Sequence, residues 1–128
     1  MAFFFKSDQY HEWATENFRS LQPPLLTCES VLSEACFLLS GHQKAIGLLL
    51  HYVEKEILKV RFSLADELEV VSHLMRRFVD QSMSLADACL VRMSEILRSA
   101  VIVTTDDDFH IYRRHGRKVI PLICPAFR

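Results

Sequence analysis

The stretch Val101–Phe109, VIVTTDDDF, restricts the fold more than any other part of the chain. Its first half is a β-branched run, the composition of a strand covered on both faces. Its second half sets Asp106, Asp107 and Asp108 just past that strand's carboxyl end. In open α/β sheets this edge is where ligands and metals usually bind. Adjacent acids repel one another, and a packed chain tolerates them when they face water, cap a helix or share a cation. Two readings follow: a binding edge, or a solvated turn in which Asp106 caps a short helix from Asp107 to His115.

The rest of the chain alternates between short apolar runs and longer helical periodicities. Gln9–Ser20 puts Tyr10, Trp13, Ala14 and Phe18 at helical spacing, with Glu12, Glu16 and Arg19 opposite and Asp8 as a cap. Pro23 and Pro24 stop that helix, and Leu25–Thr27 reads as a strand. Ser30–Leu39 carries two apolar rows, Val31/Ala35/Leu38 and Leu32/Cys36/Leu39, and Gly41 closes it. His42–Glu56 is helical again, and Leu58–Phe62 alternates apolar and basic as a strand does. Leu64–Val79 is the clearest amphipathic helix, through Leu64, Leu68, Val71, Met75 and Phe78. Asp80–Ser82 breaks it, and Ser84–Leu97 follows with Ala86, Cys89, Met93 and Ile96 inward. Ser84 with Asp87 resembles a capping box. Gly116 closes the short helix after Val101–Thr104, and Lys118–Cys124 forms a last strand with Pro121 near an edge. Strands that alternate with helices or helix pairs predict a parallel sheet covered on both faces.

At 128 residues the chain suits a single domain, 1–128. Its net charge of -1 supplies no global basic field, so contact with nucleic acid requires a local patch. The four cysteines form no CxxC pair and read as reduced core thiols of a cytoplasmic protein. His11–Glu12 lacks the second histidine of a zinc HExxH motif. The opening MAFFFK is not a signal peptide, and no apolar run is long enough to span a membrane.

Three acids share one description. Glu34 lies near the start of the helix after the first strand, Asp87 opens a helix, and Asp106 ends a strand. Brought within a few ångströms of one another, such carboxylates would hold their protons unless a divalent cation neutralised them. Mg²⁺ or Mn²⁺ suits an all-oxygen ligand set, and could activate water for attack on a phosphodiester. For Asp87 the capping box is the competing explanation. Arg113, Arg114, His115, Arg117 and Lys118 form a basic cluster, read either as phosphate contacts or as cations at a helix C-terminus. Arg76–Arg77 and Lys55, Lys59 and Arg61 read as solvated faces. Trp13 and Phe3–Phe5 read as core or as a partner surface.

Several segments resemble PIN-domain nucleases. T-C-E-S-V-L-S-E at Thr27–Glu34 is similar to the family's TxxxVxxE region. S-L-A-D-A at Ser84–Ala88 resembles its second acidic motif, and T-T-D-D-D-F at Thr104–Phe109 its TxDxDF motif. G-R-K-V-I-P resembles its last strand, and D-Q-Y-H-E-W-A at Asp8–Ala14 the segment between its first helices. The resemblance covers nearly the whole chain in the family's order. It implies a Rossmann-like three-layer α/β/α domain with a mainly parallel sheet. It also implies a Mg²⁺- or Mn²⁺-dependent ribonuclease, most often the toxin of a VapBC-type toxin–antitoxin pair, with RNA and an antitoxin as partners and a homodimer as the common assembly.

By the same resemblance Glu34, Asp87 and Asp106 would bind the metal, Asp108 would assist, and Thr104 would orient a carboxylate or the attacking water. Arg113, Arg114, Arg117 and Lys118 would meet RNA phosphates. The family's first strand and its terminal aspartate have no counterpart here, which reads as an N-terminally truncated domain whose activity is impaired. The competing classes are a PIN-like protein that binds antitoxin or RNA without cleaving it, and an unrelated acid-rich α/β phosphotransfer domain.

Overall fold

The computed structural model describes residues 11–125. Asp8, Tyr10 and Phe3–Phe5, named above, lie outside the described residues, as does the side chain of Phe18. The chain divides into two compact units at Arg61/Phe62.

The first unit contains α1 (His11–Ser20), β1 (Leu25–Thr27), α2 (Glu29–Leu38), α3 (Gln43–Glu54) and β2 (Leu58–Val60). Strands β1 and β2 pair in parallel, Leu25 with Leu58 through Thr27 with Val60. A parallel pair needs a crossover connection, and α2 with α3 provides it. Further bonds extend the ladder at both ends, from Leu25 N to Ile57 O at 2.8 Å and from Arg61 N to Thr27 O at 3.4 Å. α3 packs on β2 and buries Leu49. Thr27 and Cys28, where β1 runs into α2, are both buried. Of the two rows expected on α2, Val31, Leu32, Ala35 and Cys36 are half-buried and Leu39 is fully enclosed, whereas Leu38 faces solvent. Gly41 takes a positive φ of 86° in the α2–α3 connection, a conformation that a Cβ would strain.

The second unit contains α4 (Leu64–Arg77), α5 (Leu85–Ile96), β3 (Ile102–Val103), β4 (Arg113–Arg114), β5 (Lys118–Val119) and β6 (Leu122–Ile123). Ser63 caps α4 by accepting from Asp66 N at 3.3 Å. Helices α4 and α5 pack together, joined through a 3₁₀ turn at Val79–Gln81 and a left-handed Ser82. Their shared core holds Val71, Leu74, Phe78, Met83, Ala86, Cys89, Val91 and Met93. Leu68 and Ile96, expected inward, are exposed. Leu74 on α4 and Val91 on α5 are buried instead.

β3 pairs in parallel with β6, and the ladder is flanked by Ile102 N to Pro121 O and Thr104 N to Ile123 O, each 3.1 Å. Among the described residues the strands pair two by two, as two parallel pairs and one antiparallel pair. The helix-rich α/β character with parallel strands agrees with the sequence expectation. The last segment differs: Lys118–Cys124 splits into β5 and β6 around Pro121, whose missing N–H interrupts the ladder.

The helix expected over Asp107–His115 is a single 3₁₀ turn, Asp107–His110, followed by a hairpin in which β4 pairs antiparallel with β5. His115 and Gly116 both take positive φ, 50° and 86°, so Gly116 serves a hairpin loop rather than a helix end. An ion network braces this hairpin. Arg92 on α5 donates to Glu67 on α4 at 2.7 Å and to Glu95 at 3.2 Å. Glu95 accepts from His115 N at 2.6 Å, and Arg114 donates to Ser94 O at 3.0 Å.

Two substitutions measure these contributions by denaturant unfolding. Leu74→Ala, in the α4–α5 core, is expected to cost roughly 2–5 kcal/mol. Ser84→Ala, which removes one half of the α5 capping box, is expected to cost about 1 kcal/mol.

Candidate acidic site

The site begins with the capping box of α5. Ser84 Oγ accepts from Asp87 N at 3.0 Å, and Asp87 Oδ2 accepts from Ser84 N at 3.2 Å. This reciprocal pair fixes the Asp87 side chain at the first turn of the helix, where the dipole favours a negative charge. A second donor reaches the same oxygen: the hydroxyl of Tyr112 lies 3.1 Å from Asp87 Oδ2. Tyr112 is wholly enclosed, with Phe78 and Phe109 packed edge-on at centroid distances of 5.3 and 5.1 Å.

The acidic turn after β3 is ordered by its own side chains. Thr104 Oγ1 accepts from Asp106 N at 3.0 Å, and Asp106 Oδ1 accepts from Asp108 N at 2.9 Å. Asp106 therefore caps the 3₁₀ turn, as the plain sequence reading expected, although the turn is much shorter than expected. Carboxylate oxygens of Asp106, Asp107 and Asp108 lie within 4.8 Å of one another. Asp106 and Asp108 are half-buried and Asp107 is exposed. The turn is tied back to Tyr112, whose N–H donates to the Asp108 carbonyl at 3.1 Å.

Electrostatics connect the two segments. Burial first, then the negative charges of Asp106, Asp107 and Asp87, raise the Asp108 carboxyl above the ordinary aspartate range. Burial, the Asp87 charge and the hydrogen bond to it push the Tyr112 phenol up, with Asp108 and Asp106 adding to the effect. Cys124, at the end of β6, is raised by burial and by Asp106 and Asp107. Among the described residues, no Lys or Arg forms an ion pair with any of these four aspartates.

Tyr112, in the second unit, thus links Asp87 through its hydroxyl to the Asp108 carbonyl through its N–H, and Thr104 and Asp106 belong to the same turn as Asp108. Glu34 is exposed on α2 of the first unit. In the basic cluster, Arg113 Nη1 donates to the carbonyls of His110, Ile111 and Tyr112 at 2.6, 3.1 and 3.0 Å, closing off the 3₁₀ turn. Arg114 is turned to Ser94, with its Nε buried and unpaired. Arg117 and Lys118 are exposed on the hairpin. Tyr112 carried no functional expectation from sequence. The available signal was an aromatic with a polar tip four residues after Asp108, at helical spacing from Phe109.

The donor set fits a hard divalent cation. It consists of carboxylate oxygen, and burial together with the charges of Asp106, Asp107 and Asp87 opposes ionisation of Asp108. Oxygens that share one ion at about 2.1–2.4 Å lie no more than about 4–5 Å apart, close to the spacing of the Asp106–Asp108 group. Asp106, Asp107 and Asp108 are the described residues whose oxygens lie close enough together to share such an ion.

A family model described as PIN domain matches residues 1–114 of the chain. No curated protein matches the sequence at a level that marks a relative.

The crowding has a measurable sign. A carboxyl whose folded pKa exceeds its unfolded value carries a destabilising charge. That penalty is complete above the folded pKa and disappears once the pH falls below the unfolded one. Asp108→Asn is therefore expected to raise Tm in chelator at pH 7. The difference should close as the pH falls below the ordinary aspartate range, as measured by thermal melts over a pH series.

Proposed function

This chain belongs to the PIN-domain family, whose members are generally nucleases acting on RNA, and on that premise we propose that it hydrolyses RNA phosphodiester bonds with Mg²⁺ or Mn²⁺. The observation that supports the reading is the acidic turn Asp106–Asp108 tied through Tyr112 to Asp87, with Asp108 held above its ordinary pKa by burial and then by the charges of Asp106, Asp107 and Asp87. Carboxylates crowded to that degree gain from a shared cation.

In this reading Asp106, Asp87 and Asp108 hold the cation, and Glu34 is the remaining acid of the family's motifs. The role of Glu34 rests on the motif resemblance. A divalent ion bound there supplies positive charge to the phosphoryl oxygens and lowers the pKa of an attacking water. Thr104 Oγ1 already accepts from Asp106 N, so its own O–H proton remains to orient a carboxylate or that water. Asp87, held at Oδ2 by two donors, keeps its orientation as charge develops. Arg117 and Lys118, exposed on the β4–β5 hairpin, supply phosphate contacts, whereas Arg113 and Arg114 act chiefly by holding the hairpin and turn in place. The narrower biological role is the toxin of a type II pair, cytoplasmic, homodimeric and restrained by an antitoxin. The motif resemblance alone supports it. No helix among the described residues is long and apolar enough to cross a membrane.

The test is cleavage of a broad RNA panel with Mg²⁺ or Mn²⁺ and with chelator. Cleavage should require the cation, and Asp106→Asn and Glu34→Gln should each lower kcat by about 100-fold or more. Cleavage that persists in chelator, or in Asp106→Asn, would sink the reading. In parallel the cation should raise Tm by mass action, by about 2.7 kcal/mol of stability at 100 times its Kd.

A further inference from the structure

Tyr112 joins the two segments that carry the acids. Its ring is fully buried and packed edge-on by Phe78 at an interplanar angle of 65° and by Phe109 at 81°. Its backbone N–H is tied to the carbonyl of Asp108, in the acidic turn. Its hydroxyl is tied to the carboxylate of Asp87, on the first turn of α5 and 25 positions away in sequence. The capping bond from Ser84 N falls on the same oxygen, Oδ2. With both donors on Oδ2, the plane of the carboxylate is set and Oδ1 is not needed to hold it.

We propose that Tyr112 is a positioning residue of the acidic site: its hydroxyl fixes the orientation of Asp87 relative to Asp106 and Asp108, and through it the affinity for a divalent cation. The proposal rests on the metal-dependent reading given above. Tyr112 touches neither RNA nor cation in this role and acts through Asp87. Without the hydroxyl, a single backbone N–H holds the carboxylate, whose terminal torsion is intrinsically soft. Capturing a cation would then require ordering that the wild-type chain has already completed. Side chains that hold metal-binding groups from behind typically account for about 10–100-fold in metal affinity. A role in packing alone makes the opposite forecast, a loss of stability at unchanged metal affinity.

Tyr112→Phe keeps the ring and removes one oxygen. The experiment uses the full chain as wild type, Tyr112→Phe, Asp87→Asn, the double variant and Asp106→Asn. Free Mn²⁺ is followed by electron paramagnetic resonance during titration, and thermal melts are recorded in chelator. Tyr112→Phe should melt cooperatively, with Tm lower by roughly 5 °C. Its Kd for Mn²⁺ should rise by about 10-fold or more. Adding Tyr112→Phe to Asp87→Asn should change Kd by less than about 2-fold, because the residue it acts through is gone. In RNA cleavage, kcat should fall in Tyr112→Phe with KM for RNA unchanged. A wild-type Kd in Tyr112→Phe overturns the proposal, even where activity falls, and so does a variant with no cooperative melt. Loss of Mn²⁺ binding in Asp106→Asn but not in Tyr112→Phe overturns this proposal alone. Mn²⁺ binding that is indifferent to Asp106→Asn overturns the metal reading, and this proposal with it.

Discussion

A tyrosine with no access to solvent must find a partner for its hydroxyl within the protein, and the second unit is arranged around that requirement at Tyr112. An unpaired buried O–H costs about 1–3 kcal/mol. The partner is Asp87, at the start of α5. The ring is enclosed by Phe78 from the end of α4 and Phe109 from the 3₁₀ turn. One side chain thus brings α4, α5 and the segment after β3 to a common point. The carboxylates close to that point are close because the packing requires it.

That arrangement changes how capping should be weighed against function. In sequence, a capping box at Ser84–Asp87 and an N-cap at Asp106 stand as alternatives to a binding site. In the structure both caps form, and the acids still crowd one another. The bonds that satisfy helix and turn N–H groups also remove rotational freedom from the carboxylates. A group tied by one oxygen is preorganised at the other, which is the condition for tight, geometrically defined binding. Capping and ligation are compatible because a carboxylate has more lone pairs than a cap uses.

The basic cluster divides along similar lines. Arg113 turns back on three carbonyls and Arg114 reaches Ser94, so half of the positive charge expected at RNA phosphates is engaged in holding the hairpin. Arg92, shared between Glu67 and Glu95, extends that brace to α4. The Glu67 hydrogen bond raises the Arg92 guanidinium further above its ordinary value. Arg117 and Lys118, at the hairpin loop, carry the exposed charge of the group.

The elements themselves were legible in the sequence. Periodicities of two and 3.6 residues located β1, α2, α3, β2, α4 and α5 to within a residue or two. The capping box at Ser84 and the acidic turn after β3 were legible too, because all of these are local chemistry. Motif resemblance singles out Glu34, Asp87 and Asp106 as candidates. Three things depended on the tertiary structure. Pro121 divides the last strand between two partners, because a ladder bond is lost where the N–H is missing. The stretch Asp107–His115 becomes a turn and a hairpin, because β4 finds β5 and the Arg92 network across a distance that local propensity does not sense. Tyr112 becomes the post between Asp87 and Asp108, because burial and the choice of hydrogen-bond partner depend on what packs around a residue, and that is settled only when segments 25 positions apart meet.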